Sequence, residues 1–258
     1  MTIIPAIRPE RMRPVRLPLL LLALVVAVPF LPSPVQAQHL FQSARSYAPG
    51  LPPRGLDTAD LDHDGRLDVL FATDEGLVCL RGRGNGTFSE AWSTALEPEG
   101  GSSVHLVDLD GDGHEDALFE WSPDEVAVMM GRGDGTFDEP AGFTAALEVH
   151  GLAVAPLDGD DHHDLVVVDR EADAVIIYRG DGAGGFTEHE TLQFEWDSYV
   201  PYPFDPDGDG DLDILLRRSV NYVSDGMVLL LNDGDGHFPG LVELLPGVAV
   251  GGAAAGHL

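Results

Sequence analysis

Along most of this chain the apolar residues fall into short runs set between stretches rich in glycine and aspartate. Val104-His-Leu-Val107, Asp116-Ala-Leu-Phe119, Val126-Ala-Val-Met-Met130, Leu165-Val-Val-Val168 and Ala174-Val-Ile-Ile-Tyr178 lead into turns of Gly, Asp or Asn. None carries the spacing of an amphipathic helix, and each has the length of a strand. Because the runs are apolar almost throughout, the strands are expected to be covered on both faces, as in stacked sheets.

Two marks punctuate the runs at a fixed interval. The first is an aspartate-rich loop: Asp60-Leu-Asp62-His-Asp64-Gly65-Arg-Leu-Asp68, Asp108-Leu-Asp110-Gly-Asp112-Gly113-His-Glu-Asp116, Pro156-Leu-Asp158-Gly-Asp160-Asp161-His-His-Asp164 and Asp205-Pro-Asp207-Gly-Asp209-Gly210-Asp-Leu-Asp213. Their starts lie 48, 48 and 49 residues apart. The second is a glycine-rich turn closed by Phe88, Phe137, Phe186 or Phe238, and Phe41 falls in the same phase without the glycines. Three or four strands in a unit of about 48 residues describe a propeller blade. The expected fold is all-β, with about four β-propeller blades.

Carboxylates at loop positions 1, 3, 5 and 9 repel strongly when crowded, unless a cation stands among them. Oxygen ligands alone favour a hard cation, and calcium suits the set best. The EF-hand shares the opening Asp-x-Asp-x-Asp-Gly but needs an acidic ligand at position 12 and flanking helices. Position 12 in the regular copies is Phe71, Phe119 or Leu216, each inside a strand-like run, which excludes that reading. The last carboxylate comes from position 9, where the second strand begins, so an ion would clamp a hairpin.

Loop and turn recurring in register resemble the FG-GAP or VCBS repeats, the calcium-loop blades also found in integrin alpha-subunit propellers. The likeness rests on the loops at Asp60, Asp108 and Asp205, the degenerate loop at Pro156 and the Gly-x-Gly-x-Phe turns, and runs from about residue 41 to 245. It implies Ca2+ at Asp60, Asp62, Asp64 and Asp68, at Asp108, Asp110, Asp112 and Asp116, and at Asp205, Asp207, Asp209 and Asp213. The position-7 carbonyls of Arg66, His114 and Asp211 would complete the shells. Asp158, Asp160 and Asp164 form a weaker set, because Pro156 replaces the first ligand and Asp161 the turn glycine. His162 and His163 suggest a transition metal there, but neighbours in an extended segment point to opposite faces, and a solvated loop is the simpler reading.

Other features have plain structural readings. Arg132-Gly-Asp134 and Arg179-Gly-Asp181 spell an integrin-recognised adhesion tripeptide, yet both are read as parts of the repeat's ordinary turns. Trp92, Trp121 and Trp196 share no repeat position, and burial between blades is expected ahead of stacking on a sugar. Cys79, the single cysteine, is expected as a buried strand residue and allows no internal disulfide.

Composition narrows the partners. A formal charge of −30 with no lysine argues against nucleic acid and anionic lipid. Residues 1–37 read as a secretory signal, with Arg8, Arg11, Arg13 and Arg16 before an apolar run and cleavage near Ala37. That run is shorter than the ~20 residues a span requires and contains Pro18 and Pro29, so no stable membrane span is expected. Residues 38–247 would hold the repeats, and 248–258 the start of a truncated fifth blade or a closing strand. His257 lies 19 residues after Phe238, where another loop should begin. An incomplete propeller, able to self-associate through unclosed blades, is therefore expected.

No His-Glu-x-x-His, Gly-x-Ser-x-Gly, phosphate-cradling loop or Cys-His arrangement appears, and the repeated loops account for the carboxylates. The expected function is a secreted or periplasmic, calcium-stabilised scaffold without catalytic activity, engaging an extracellular protein or glycan. The alternative is an accessory part of an extracellular enzyme such as a lyase or hydrolase.

Overall fold

The computed structural model describes residues 53–95, 103–198, 200–220 and 223–248, and these form antiparallel strands and connecting loops without helices. The expected signal segment and the residues after Val248 lie outside them, as does Phe41. The first sheet contains β1 (Pro53–Ala59), β2 (Asp68–Thr73), β3 (Gly76–Gly82) and β4 (Phe88–Ala95). The second contains β5 (Val104–Val107), β6 (Asp116–Ser122), β7 (Glu125–Met129) and β8 (Ala141–Thr144). The third contains β9 (Val149–Ala155), β10 (Asp164–Asp169), β11 (Ala174–Gly180) and β12 (Phe186–Gln193). In the fourth, β13 (Asp197–Ser198) and β14 (Tyr202–Phe204) both pair with β15 (Asp213–Val220), followed by β16 (Val223–Leu231) and β17 (Gly240–Leu244).

Each sheet is a meander of sequential strands, so one repeat makes one blade. The aspartate loop joins the first strand to the second, and position 9 is the second strand's first residue in every blade: Asp68, Asp116, Asp164 and Asp213. The glycine turn leads from the third strand to the fourth. Phe88 and Phe186 open β4 and β12, while Phe137 and Phe238 come just before β8 and β17.

The continuous apolarity has the cause expected of it. All six residues of β10 are buried, although alternate side chains leave opposite faces of a strand. Val166 and Val168 join Ile214, Leu216, Val228 and Leu230 of the fourth blade. Leu165 and Val167 join Leu118, Val126 and Val128 of the second. Between the first two blades, Leu70, Leu77 and Cys79 meet Ala117, Phe119 and Met129. Each fully buried large side chain of this kind is worth about 1.5–3 kcal/mol in removed apolar surface, which makes the blade-to-blade cores the main source of stability.

Cys79 belongs to one of these cores, and burial pushes its thiol up to about 12, so a reactive thiolate does not form there. The three tryptophans also pack against cores. Trp92 and Trp121 lie against the first, and Trp196 against the one between the third and fourth blades.

The stack is open among the described residues. Phe71, Val78 and Leu80 cluster on the other face of the first blade with Val69 and Phe88 of that same blade, and no described cluster joins the first blade to the fourth. The glycine turns agree. A methyl group on Gly135 would meet Arg81 and Asp62 of the first blade, one on Gly184 would meet Met130 of the second, and one on Gly236 would meet Asp158 of the third. One on Gly86, in the first blade's own turn, would meet nothing within 4 Å. Each later blade thus seats its turn on the aspartate-loop end of the blade before it.

Candidate functional site

The aspartate loops fold around their own carboxylates. Asp60 accepts the N–H groups of Asp64 (3.0 Å) and Gly65 (2.8 Å), Asp62 that of Asp64 (3.2 Å), and Asp64 that of Arg66 (3.0 Å). Asp108, Asp110 and Asp112 repeat this with Gly111 and Gly113, Asp112, and His114. Asp205, Asp207 and Asp209 do so with Gly208 and Gly210, Asp209, and Asp211. The chain reverses at position 6, where φ is +82° at Gly65, +86° at Gly113 and +101° at Gly210, a region open to glycine and costly for most side chains. Asp161 adopts +67° at that place in the third loop.

Position 9 anchors the loop to the blade. Asp116 accepts the N–H of Leu109 at 2.9 Å through one oxygen and that of Gly131 at 2.7 Å through the other. Asp68 does the same with Leu61 and Gly82, and Asp164 with Leu157 and Gly180. These glycines let the third strand approach the loop backbone. A methyl group on Gly82, Gly131 or Gly180 would lie 2.1, 2.3 or 2.1 Å from the position-8 carbonyl oxygen. In the fourth blade Asn232 stands there. Its N–H donates to Asp213 at 2.9 Å, and its side-chain amide donates to the carbonyls of Leu212 and Leu157.

Three groups of carboxylate oxygens converge among the described residues, each set lying within 4.8 Å: Asp60, Asp62 and Asp68; Asp108, Asp110 and Asp116; and Asp205, Asp207 and Asp209. Asp64 turns away to pair with Arg66 at 2.8 Å. Asp158, Asp160 and Asp164 form no such group. Asp68, Asp116, Asp164 and Asp213 are all held above the ordinary carboxylate range, first by burial and then by neighbouring loop aspartates, with backbone N–H groups opposing. Donor sets made only of oxygen, negatively charged and partly desolvated, fit a hard cation.

A family model for FG-GAP-like repeats matches residues 60–119 and 157–216, each match running from one aspartate loop to position 12 of the next. Those two stretches are FG-GAP-like repeats. No curated protein matches its sequence. Among solved structures it is similar to an Agrocybe aegerita lectin described for specific recognition of non-reducing terminal N-acetylglucosamine, at 22% identity and a TM-score of 0.53, over 74% of this chain and 51% of the lectin. It is also similar to BBS1N, crystallised in complex with ARL6DN and soaked with lead, at 11% identity and a TM-score of 0.51, over 75% of this chain and 57% of that one. These likenesses establish the fold, and the chain spans little more than half the length of either protein.

Within the FG-GAP-like blades, two arginines brace the loops: Arg81, which motif reading passed over, and Arg179, which it took only as part of a tripeptide. Arg81 Nε lies 2.9 Å from Asp62, and its guanidinium donates to the Asp134 carbonyl in the second blade's turn at 3.3 Å. Arg179 Nε lies 3.0 Å from Asp158, and its guanidinium donates to the Asp235 carbonyl in the fourth blade's turn at 2.6 Å. Each therefore ties its own loop to the next blade. The signal was available: both immediately precede the glycine that bonds position 9.

This geometry also separates the two Arg-Gly-Asp tripeptides. Arg179 occupies the place of Arg81, two residues earlier in the repeat than Arg132, so the two tripeptides are different parts of the turn. Arg132 bonds Asp138, and Asp134 accepts from the backbone and hydroxyl of Thr136. Asp181 accepts from Ala183 and Gly185. Both tripeptides are built into the turns, as the structural reading expected.

Proposed function

We propose that this chain is an exported, calcium-binding propeller scaffold whose blades present loops to an extracellular glycan or protein. The observation that carries the reading is the convergence of three carboxylates at each of three aspartate loops of a chain with FG-GAP-like repeats. Asp60, Asp62 and Asp68 would hold one ion, Asp108, Asp110 and Asp116 a second, and Asp205, Asp207, Asp209 and Asp213 a third. Asp64 and Asp112, and the carbonyls of Arg66, His114 and Asp211, would complete the shells. The third loop is the weak member. It lacks the first carboxylate, and Asp158, Asp160 and Asp164 form no converging group like those of the other loops.

Calcium in this setting would supply charge neutralisation, and the protein's own part is to hold the loops at the junction between blades. Gly135 N–H donates to the Leu61 carbonyl at 2.9 Å, so ordering the first loop also orders the seat of the second blade. At the affinities of extracellular modules, ~10⁻⁴ to 10⁻³ M, each site adds roughly 0.4 to 1.4 kcal/mol at millimolar calcium. Calorimetry of the purified chain in calcium and in a chelator tests the reading. The expected result is a higher melting temperature in calcium, and an unchanged one overturns it. For the partner, the fold shared with a lectin supports a glycan. A glycan array read in calcium and in chelator tests this class, and signals only with immobilised extracellular proteins would favour a protein instead.

A further inference from the structure

Every aspartate loop turns through the left-handed region at position 4. Glycine takes that turn in three loops, with φ of +75° at Gly111, +75° at Gly159 and +80° at Gly208. In the first loop the place belongs to His63, at φ +54°. A side chain there carries backbone strain that glycine avoids, although histidine tolerates the region better than most residues. The imidazole reaches across the blade junction. Its Nε2 lies 2.7 Å from Nδ1 of His114, at position 7 of the second loop, with the two rings tilted by 44°. His114 is itself seated on its own blade's turn, since a methyl group on Gly133 would lie 2.3 to 2.8 Å from three atoms of its ring. His162 lies over Gly182 in the same way, but position 4 of the loop before it is Gly111, which has no ring to offer.

We propose that His63 and His114 form a site for a divalent transition-metal ion, of the zinc or copper class, that bridges the first two blades. Imidazole nitrogen suits such ions, whereas the aspartate loops offer only oxygen and suit a hard cation. The site therefore differs from those of the calcium reading in both its ligands and its ion, and does not rest on that reading. Two nitrogens bound to one tetrahedral ion at ~2.0–2.1 Å lie about 3.3 Å apart, so the pair has only to open by roughly 0.6 Å. His63 is exposed and His114 half-buried, which leaves the ion's remaining positions to solvent. A hydrogen bond between such rings adds little net stability, a weak reason to hold a strained histidine where glycine serves the other loops.

Calorimetric titration of the purified chain with Zn2+, in millimolar calcium, provides the test. The wild-type chain is expected to show one tight Zn2+ site. His63→Gly gives the first loop the residue that the other three carry, so folding is preserved, and it should weaken that site by more than about tenfold. His114→Gln should do the same. His237→Gln is the control, because its ring faces His189 at 4.3 Å between the third and fourth blades, and it should leave the site unchanged. Paramagnetic resonance of the Cu2+-loaded chain should show coupling to two imidazole nitrogens, lost in His63→Gly. In chelator, the His63→Gly melting temperature should hold or rise as the strain is removed. A clear fall would mark the pair as a structural tie between blades and overturn the assignment. So would the absence of a tight Zn2+ site, an affinity unchanged in His63→Gly, an equal loss in His237→Gln, or Zn2+ that calcium displaces, which would belong to the aspartates. Failure of the chain to bind calcium would overturn the calcium reading and leave this site standing.

Discussion

Gly131→Ala is the sharpest test of how the second repeated mark supports the first. Gly131 lies outside the left-handed backbone region, so the substitution adds no conformational strain, and its whole effect comes from one methyl group. That group would sit 2.3 Å from the Glu115 carbonyl oxygen and 3.0 Å from its carbon, roughly 1 Å closer than contact distances permit. Both atoms are backbone, so the strand and the loop must separate. Separation by that amount breaks the 2.7 Å bond from Gly131 N–H to Asp116, a charge-assisted bond to a carboxylate that is 1% exposed. Such bonds contribute about 1.5–3 kcal/mol, and overpacking adds ~1–3 kcal/mol. The expected cost is about 3–5 kcal/mol, or roughly 6–20 °C in melting temperature for a domain of this size.

Gly86→Ala is the control. It has open space but a φ of +75°, so only backbone strain of ~1 kcal/mol applies. Thermal melts in millimolar calcium, together with calcium stoichiometry, measure both variants. Gly131→Ala should also lose about one bound calcium, because Asp116 belongs to the second carboxylate group. Equal melting shifts in the two variants would refute the steric argument, and a full complement of calcium in Gly131→Ala would refute the coupling of turn to loop.

Three further outcomes are expected. Asp112→Ala should lower calcium stoichiometry by about one, and Asp160→Ala much less, because the third loop already lacks its first ligand; equilibrium dialysis compares them, and equal losses would reverse the ranking. Phe119→Ala empties the core between the first and second blades, where the side chain is 1% exposed, and should cost about 3–5 kcal/mol in denaturant unfolding. His105 and His150 are held below the ordinary imidazole value, chiefly by burial, so the unfolded chain binds protons more readily than the folded one as pH falls through about 6.5. Stability in saturating calcium should therefore decline below that pH, with a smaller decline in His105→Gln, and a flat profile from pH 7 to 5 would refute the assignment.

The all-β architecture, the blade length and the register of both marks are legible in the sequence because each depends on local rules. Short apolar runs of strand length, turn residues at fixed phase and a period of about 48 residues admit little besides stacked meanders. The candidate ligand types are legible too, since four carboxylates within nine residues repel one another and form an all-oxygen set that suits a hard cation. The sequence also marks the third loop as the odd member, through Pro156 and Asp161.

Contacts between blades were settled only by tertiary structure. Arg81 looks like an ordinary strand-end residue, and Arg179 like part of a turn tripeptide, until the next blade's turn arrives within reach of each guanidinium. The glycines at 82, 131 and 180 read as ordinary turn residues until a carbonyl from the loop lies against them. Pro206 has no N–H to give where the other loops carry leucine, and only burial at Asp213, seven residues later, leaves Oδ2 without a hydrogen-bond partner. Periodicity along a chain reports which face a residue takes. What meets that face depends on atoms about 50 residues away, and only packing brings them together.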